Sequence, residues 1–317
     1  MGVVGGRGVR LDVAVHALAT RAATALAPSG APWAARWDEL AAVVAGLSDL
    51  VRGGPGARQA AQDVAELLVA AVAEDREHRA ALAELVDRVV DLHAVACASD
   101  PPEPVGLAEW LLWLQTGFAE PPEVRLSAYA GALGAEGLAL YRAEAVARFE
   151  RLPVIGFGRT GTYDRERWAL LRVVEELAEH TGDVDLQVLV LSRDLSSGWH
   201  YLRVATVLRD ADRSEEALGW VRRGLVATGG RGAAARLVDL GVDECLRVGW
   251  VSRAVELRRD LVLAHPVWEA WERLRSLAAG LGMWPAVREE VLARLSAPGA
   301  PSGAVELVRR ATGEPSR

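Results

Sequence analysis

Residues 199–228 read WHYLRVATVLRDADRSEEALGWVRRGLVAT. One apolar stretch carries Tyr201, Val204, Ala205 and Leu208, and another carries Ala217, Val221 and Gly224, with the breaker Asp212-Arg213-Ser214 between them. Apolar residues recurring at helical spacing on both sides of a turn signal predict a helical hairpin. Related turns occur at Gly182-Asp183-Val184, Gly249-Trp250-Val251 and Gly282-Met283-Trp284, so successive turns stand 30, 37 and 33 residues apart. A helical pattern that returns about every 34 residues predicts stacked hairpins. Each helix is too short to bury both of its faces, so its neighbours must supply the missing apolar surface.

Small residues matter in such a stack because helix axes approach closely only where side chains are short, and Ala205, Ala217 and Gly224 meet that need. The next hairpin keeps Gly249, Ala254 and Pro266 but carries Val242 and Leu261 where small residues are usual, which predicts a looser or differently angled unit. The last has Trp271, Leu274, Gly282 and Trp284, with Arg275 at the small position. Upstream, the pattern predicts helices over 9–27, 33–51, 58–73, 76–98, 107–118, 123–132 and 136–150, interrupted by Pro28-Ser29-Gly30, Pro101-Pro102, Pro121-Pro122 and Gly134. No segment alternates as a strand does. The expected architecture is all-α: a helical N-terminal domain over 1–150, stacked antiparallel hairpins over 164–297, and a tail over 298–317 with a short helix. Asp164 is the expected N-cap of the first stacked helix, with Glu166 in its first turn.

The second hairpin resembles a tetratricopeptide repeat on Tyr201, Val204, Ala205, Leu208, Ala217, Val221 and Gly224, so the resemblance implies a tetratricopeptide-like α-solenoid. Four short segments carry a wider resemblance: Leu92-His93-Ala94-Val95-Ala96-Cys97, Pro104-Val105-Gly106-Leu107-Ala108, Leu133-Gly134-Ala135-Glu136-Gly137-Leu138 and Arg193-Asp194-Leu195-Ser196-Ser197. Through them the whole chain resembles the helical region that follows the zinc-binding motif of bacterial SWIM zinc-finger proteins. That resemblance implies a helical-repeat fold and gives no known activity. The zinc motif itself needs three cysteines, and only Cys97 and Cys245 exist, so zinc is not carried over.

The chain of 317 residues is 51% apolar, enough to fill a core. It has no Lys, no Asn, a single Ile and 36 Arg, the mark of a GC-rich bacterial coding sequence. Net charge is −7, split as −10 over 1–195 and +3 over 196–317, without the cationic excess of a general nucleic-acid binder. Two cysteines allow no disulfide scaffold and fit a reducing, cytoplasmic setting. Asp12, His16 and Arg21 interrupt the apolar run 11–27 where a signal peptide needs an unbroken core, and the best uncharged run, 110–119, falls far short of a membrane span.

Motifs for chemistry are weak. Gly156-Phe157-Gly158-Arg159-Thr160-Gly161 spells GxGxxG but lacks the preceding strand that a dinucleotide turn requires, so an inter-helix loop is the better reading. His93 and Cys97 share a helical face as half a metal site would, without a second pair, so core packing is preferred. The adjacent pairs Glu175-Glu176, Glu215-Glu216 and Glu289-Glu290 point about 100° apart on a helix and read as solvated faces. Ser196-Ser197 reads as a helix cap. No catalytic residue, cofactor or metal ligand is assigned.

Seven of the eleven Trp residues fall in the hairpin half. The phase of the first helix of each hairpin places Arg172, Glu176, Glu179, His180, Trp199, Arg209, Arg236, Asp239, Asp243, Arg247, Glu269 and Glu272 along an expected concave wall. Trp and Arg among acids suit a folded partner or a charged peptide, so the expected function is non-catalytic protein–protein interaction. The alternative is an enzyme or small-ligand protein with a pocket between the halves, near Arg159 and His180.

Overall fold

The computed structural model describes residues 5–28, 30–53, 56–118, 120–161 and 164–313. Among these the chain is all-helical and no helix is long and apolar enough to cross a membrane. The helices are α1 (Gly5–Leu26), α2 (Trp33–Gly53), α3 (Ala57–Glu74), α4 (Arg79–Ser99), α5 (Pro104–Thr116), α6 (Leu126–Glu150), α7 (Arg165–Thr181), α8 (Val184–Ser192), α9 (Gly198–Asp210), α10 (Ser214–Thr228), α11 (Ala234–Arg247), α12 (Val251–Ala264), α13 (Trp268–Gly280), α14 (Trp284–Leu295) and α15 (Ala304–Thr312). They form two compact units, residues 1–152 with 163–182 and residues 153–162 with 183–317.

Several helix ends are set by single side chains. The Asp75 carboxylate accepts from the amides of Glu77 and His78 at 3.1 and 3.0 Å, which holds that stretch in a turn and delays α4 to Arg79. Glu103 accepts from Val105 and Gly106 at 2.9 and 2.6 Å and thereby starts α5 three residues earlier than the apolar pattern suggests. Pro104 at the first helical position has no amide to satisfy. At Gly134 (φ 56°, ψ −167°) the backbone leaves helical geometry, so α6 consists of two helical segments that meet at a kink, as the sequence predicts. Asp164 caps α7 by accepting from the Arg167 amide at 2.9 Å.

In the first unit α1 packs on α2 and α3, α3 on α4, α4 on α6, and α5 on α6. α7 belongs here too: its face of Leu170, Val173, Val174 and Leu177 is buried, and it packs on α5 and α6. In the second unit each helix packs on the next from α8 to α15, with additional α9–α11 and α12–α14 contacts. The α9–α10, α11–α12 and α13–α14 turns need one residue of positive φ; Gly249 (78°) and Gly282 (71°) supply it freely, and Asp212 (57°) takes the same conformation with a side chain.

Gly224 sits where α10 crosses α9 and α11. A Cβ there would lie 2.8 Å from both Leu237 Cδ1 and Tyr201 Cβ, while Ala205 and Ala217 are fully buried nearby. Gly224→Val is therefore expected to destabilise the second unit by about 1–3 kcal/mol, because the Tyr201 Cβ is tied to its backbone and Leu237 is fully buried. Urea unfolding would show it; an unchanged midpoint would mean that these helices do not approach this closely.

Candidate functional site

The expected wall residues fall in two sets. Arg172, Glu176, Glu179 and His180 lie on α7 in the first unit. The first three help line a cavity of 180 Å³ with Gln115, Pro121 and Pro122. Glu176 also accepts from the Leu126 amide at 2.9 Å, so one of its oxygens satisfies the exposed start of α6.

Trp199, Arg209, Arg236, Asp239, Asp243, Arg247, Glu269 and Glu272 lie on α9, α11 and α13 in the second unit. Most of their charges are spoken for. Asp239 meets Arg258 at 2.5 Å and Arg273 at 3.0 Å, and Arg273 reaches on to Glu269 at 2.8 Å. Arg247 forks onto both oxygens of Glu244 at 2.7 and 2.8 Å and also contacts Asp212 at 2.9 Å. Arg209 pairs with Asp210, and Glu272 with Arg275. Trp199 differs: it is 52% exposed, and the Arg236 guanidinium stands 5.7 Å from its ring centroid. Asp243, two turns along α11 from Arg236, is exposed.

The residues that complete this charge network, Glu244, Arg258 and Arg273, were not apparent from apolar phase alone. Glu244 is buried, and its carboxyl is held below the usual range chiefly by the hydrogen bonds from Arg247. A signal for the long-range pairs does exist. Asp212 with Arg247, Asp239 with Arg273, Glu215 with Arg253, and Glu290 with Arg259 are separated by 35, 34, 38 and 31 residues, close to the spacing of the turns.

The glycine loop is anchored by its backbone. Ile155 forms a single parallel bridge with Asp194, its amide donating to the Arg193 carbonyl at 3.0 Å and its carbonyl accepting from the Leu195 amide at 2.7 Å. The Gly158 amide donates to the Ser196 carbonyl at 3.0 Å and the Arg159 amide to the Gly156 carbonyl at 3.1 Å. Two amides that a phosphate cradle would need are thus already used. Arg159 lies in the second unit and His180 in the first.

His93 and Cys97 are both buried in α4. Tyr129 donates to the Val90 carbonyl at 2.9 Å, which leaves its oxygen to accept from His93 Nδ1 at 3.1 Å. The free Nε2 then accepts from the Cys97 thiol at 3.5 Å. Burial lowers the His93 pKa to about 4 and pushes Cys97 up to about 12, so both are neutral at neutral pH. A nucleophilic Cys–His pair needs the opposite order, a thiolate beside an imidazolium. Among the described residues no cluster of three or more His, Cys, Asp or Glu could hold a metal.

Compared with known proteins, the chain matches no family model and none of the curated sequences.

Proposed function

We propose that the second unit is a non-catalytic, cytoplasmic protein-interaction module, a tetratricopeptide-like stack of hairpins that docks a partner protein or peptide on the faces of α9, α11 and α13. The observation that carries this reading is the half-exposed Trp199 with Arg236 over its ring, set in a surface whose other charges are mostly paired within the chain. Trp and Arg are the residues that most often dominate binding energy, and internally paired charges around them form a rim that excludes water without demanding a partner of one sign. The ion pairs one turn-spacing apart support the stacked reading, since each ties one hairpin to its neighbour. The same reading retains the resemblance to the helical region of SWIM zinc-finger proteins, which brings a fold and no chemistry.

The test is quantitative affinity capture from the native host with the wild-type chain and with Trp199→Ala/Arg236→Glu. A partner on this surface is expected to be depleted at least about tenfold, a hot-spot effect, with the circular dichroism of the chain unchanged. Equal recovery of every captured protein would remove the surface from consideration.

A further inference from the structure

A different surface of the second unit lies between α10 and α12. Both helices pack on α11, and between them opens a cavity of 520 Å³ walled by Leu218, Leu225, Leu257 and Leu261, with buried Cys245 on its floor. On the α10 rim Val226 is 84% exposed, the most exposed large apolar side chain among the described residues. Arg222, one turn before Val226, stands on the same rim, and Glu256 stands on the α12 rim. Neither Arg222 nor Glu256 makes a hydrogen bond or an ion pair to a described residue. The other two charges at the cavity are occupied: Arg253 pairs with Glu215 at 3.2 Å, and Asp260 with Arg259 at 3.0 Å.

An exposed apolar knob beside an apolar groove is what an interface leaves on a subunit drawn alone. The charges select the occupant. A partner segment of one sign would satisfy one rim and repel the other. A twofold interface brings a patch against its own copy, so it must be complementary to itself. Arg222 on α10 and Glu256 on α12, neither of them held in an ion pair to a described residue, satisfy that condition, since each copy then offers Glu256 to the other's Arg222.

We propose that the α10–α12 face is a twofold interface through which the chain pairs with a second copy of itself, Val226 of each copy seated over the leucine-lined groove of the other and Arg222 paired with Glu256 across the axis. This assignment is independent of the partner surface on α9, α11 and α13.

Sedimentation velocity and light scattering over about 1–100 µM test it. The wild-type chain is expected to dimerise. Arg222→Glu and Glu256→Arg, both at exposed positions, are each expected to weaken the dimer at least about tenfold by setting like charges opposite each other. The double exchange restores opposite pairing at the same net charge of −7 and is expected to recover the wild-type constant. A wild-type chain that stays monomeric across this range overturns the proposal, as does a dimer that ignores the single exchanges. Loss in both singles without recovery in the double overturns the pairing across a twofold axis, and either single with the double suffices should one variant fail to fold.

Discussion

Trp271→Ala is expected to lower the unfolding free energy of the second unit by about 3–5 kcal/mol. The indole is 2% exposed and meets Trp284 edge-on with centroids 5.0 Å apart, in a cluster that also holds Val255, Leu274, Val287 and Val291. Removing it takes away both the transfer free energy of a large apolar group and the contacts of every neighbour that faced it. Helices cannot close over such a void without shifting as rigid bodies, so most of it persists. A domain's whole stability is roughly 5–15 kcal/mol, so the loss is a substantial part of it. Hydrogen exchange would read it directly: amides of α13 and α14 should lose protection while those of α3 and α4 in the first unit keep theirs. A loss below about 1 kcal/mol would show that Trp271 is not the keystone of this cluster.

Acid is expected to destabilise the first unit before the second. In the unfolded chain His93 takes up a proton near its ordinary pKa of 6.5, whereas in the fold burial, helped by the Arg58 charge, delays protonation to about 4. Between these values the unfolded state binds more protons, so stability falls as pH falls, by on the order of 3 kcal/mol over the interval. The polar groups around the ring do not relieve this. The Tyr129 hydroxyl hydrogen is committed to Val90, Cys97 presents a thiol, and Arg58 repels a second cation. Glu244 in the second unit behaves differently: its depressed pKa contributes stability that is present above its ordinary value of 4.5 and lost only as pH drops below it. Urea unfolding at several pH values, with the His93 ring signal followed by NMR, separates the two. A first unit equally stable at pH 6.5 and 4.5, or a ring that titrates near 6.5, would contradict the buried neutral imidazole.

Much of the fold could be read from punctuation. Gly249, Gly282 and Asp212-Arg213-Ser214 mark turns because each supplies a residue able to take positive φ, and helices end there. Boundaries slipped where a side chain rather than an apolar period decides them, as at Glu103 and Asp75. Gly134 takes a non-helical conformation that divides α6 into the two segments read from the sequence, although the break is only one residue wide. Val242 and Leu261, the large residues noted where small ones are usual, are respectively buried and on the wall of the α10–α12 cavity. The candidate surface was less legible. Phase along a single helix identifies Asp239, Arg247 and Glu269 as outward-facing, but which charges they meet depends on the stagger between helices, which no period within one helix encodes. Trp199 and Arg236 are 37 positions apart, and only packing brings them together.

The two thiols fall one to each compact unit, Cys97 in α4 and Cys245 in α11, and both are fully buried. The chain therefore carries an internal clock for each half. An alkylating reagent reaches either sulfur only when its own surroundings open, so the two labelling rates time the breathing of the halves separately, in one tube and without any engineered probe.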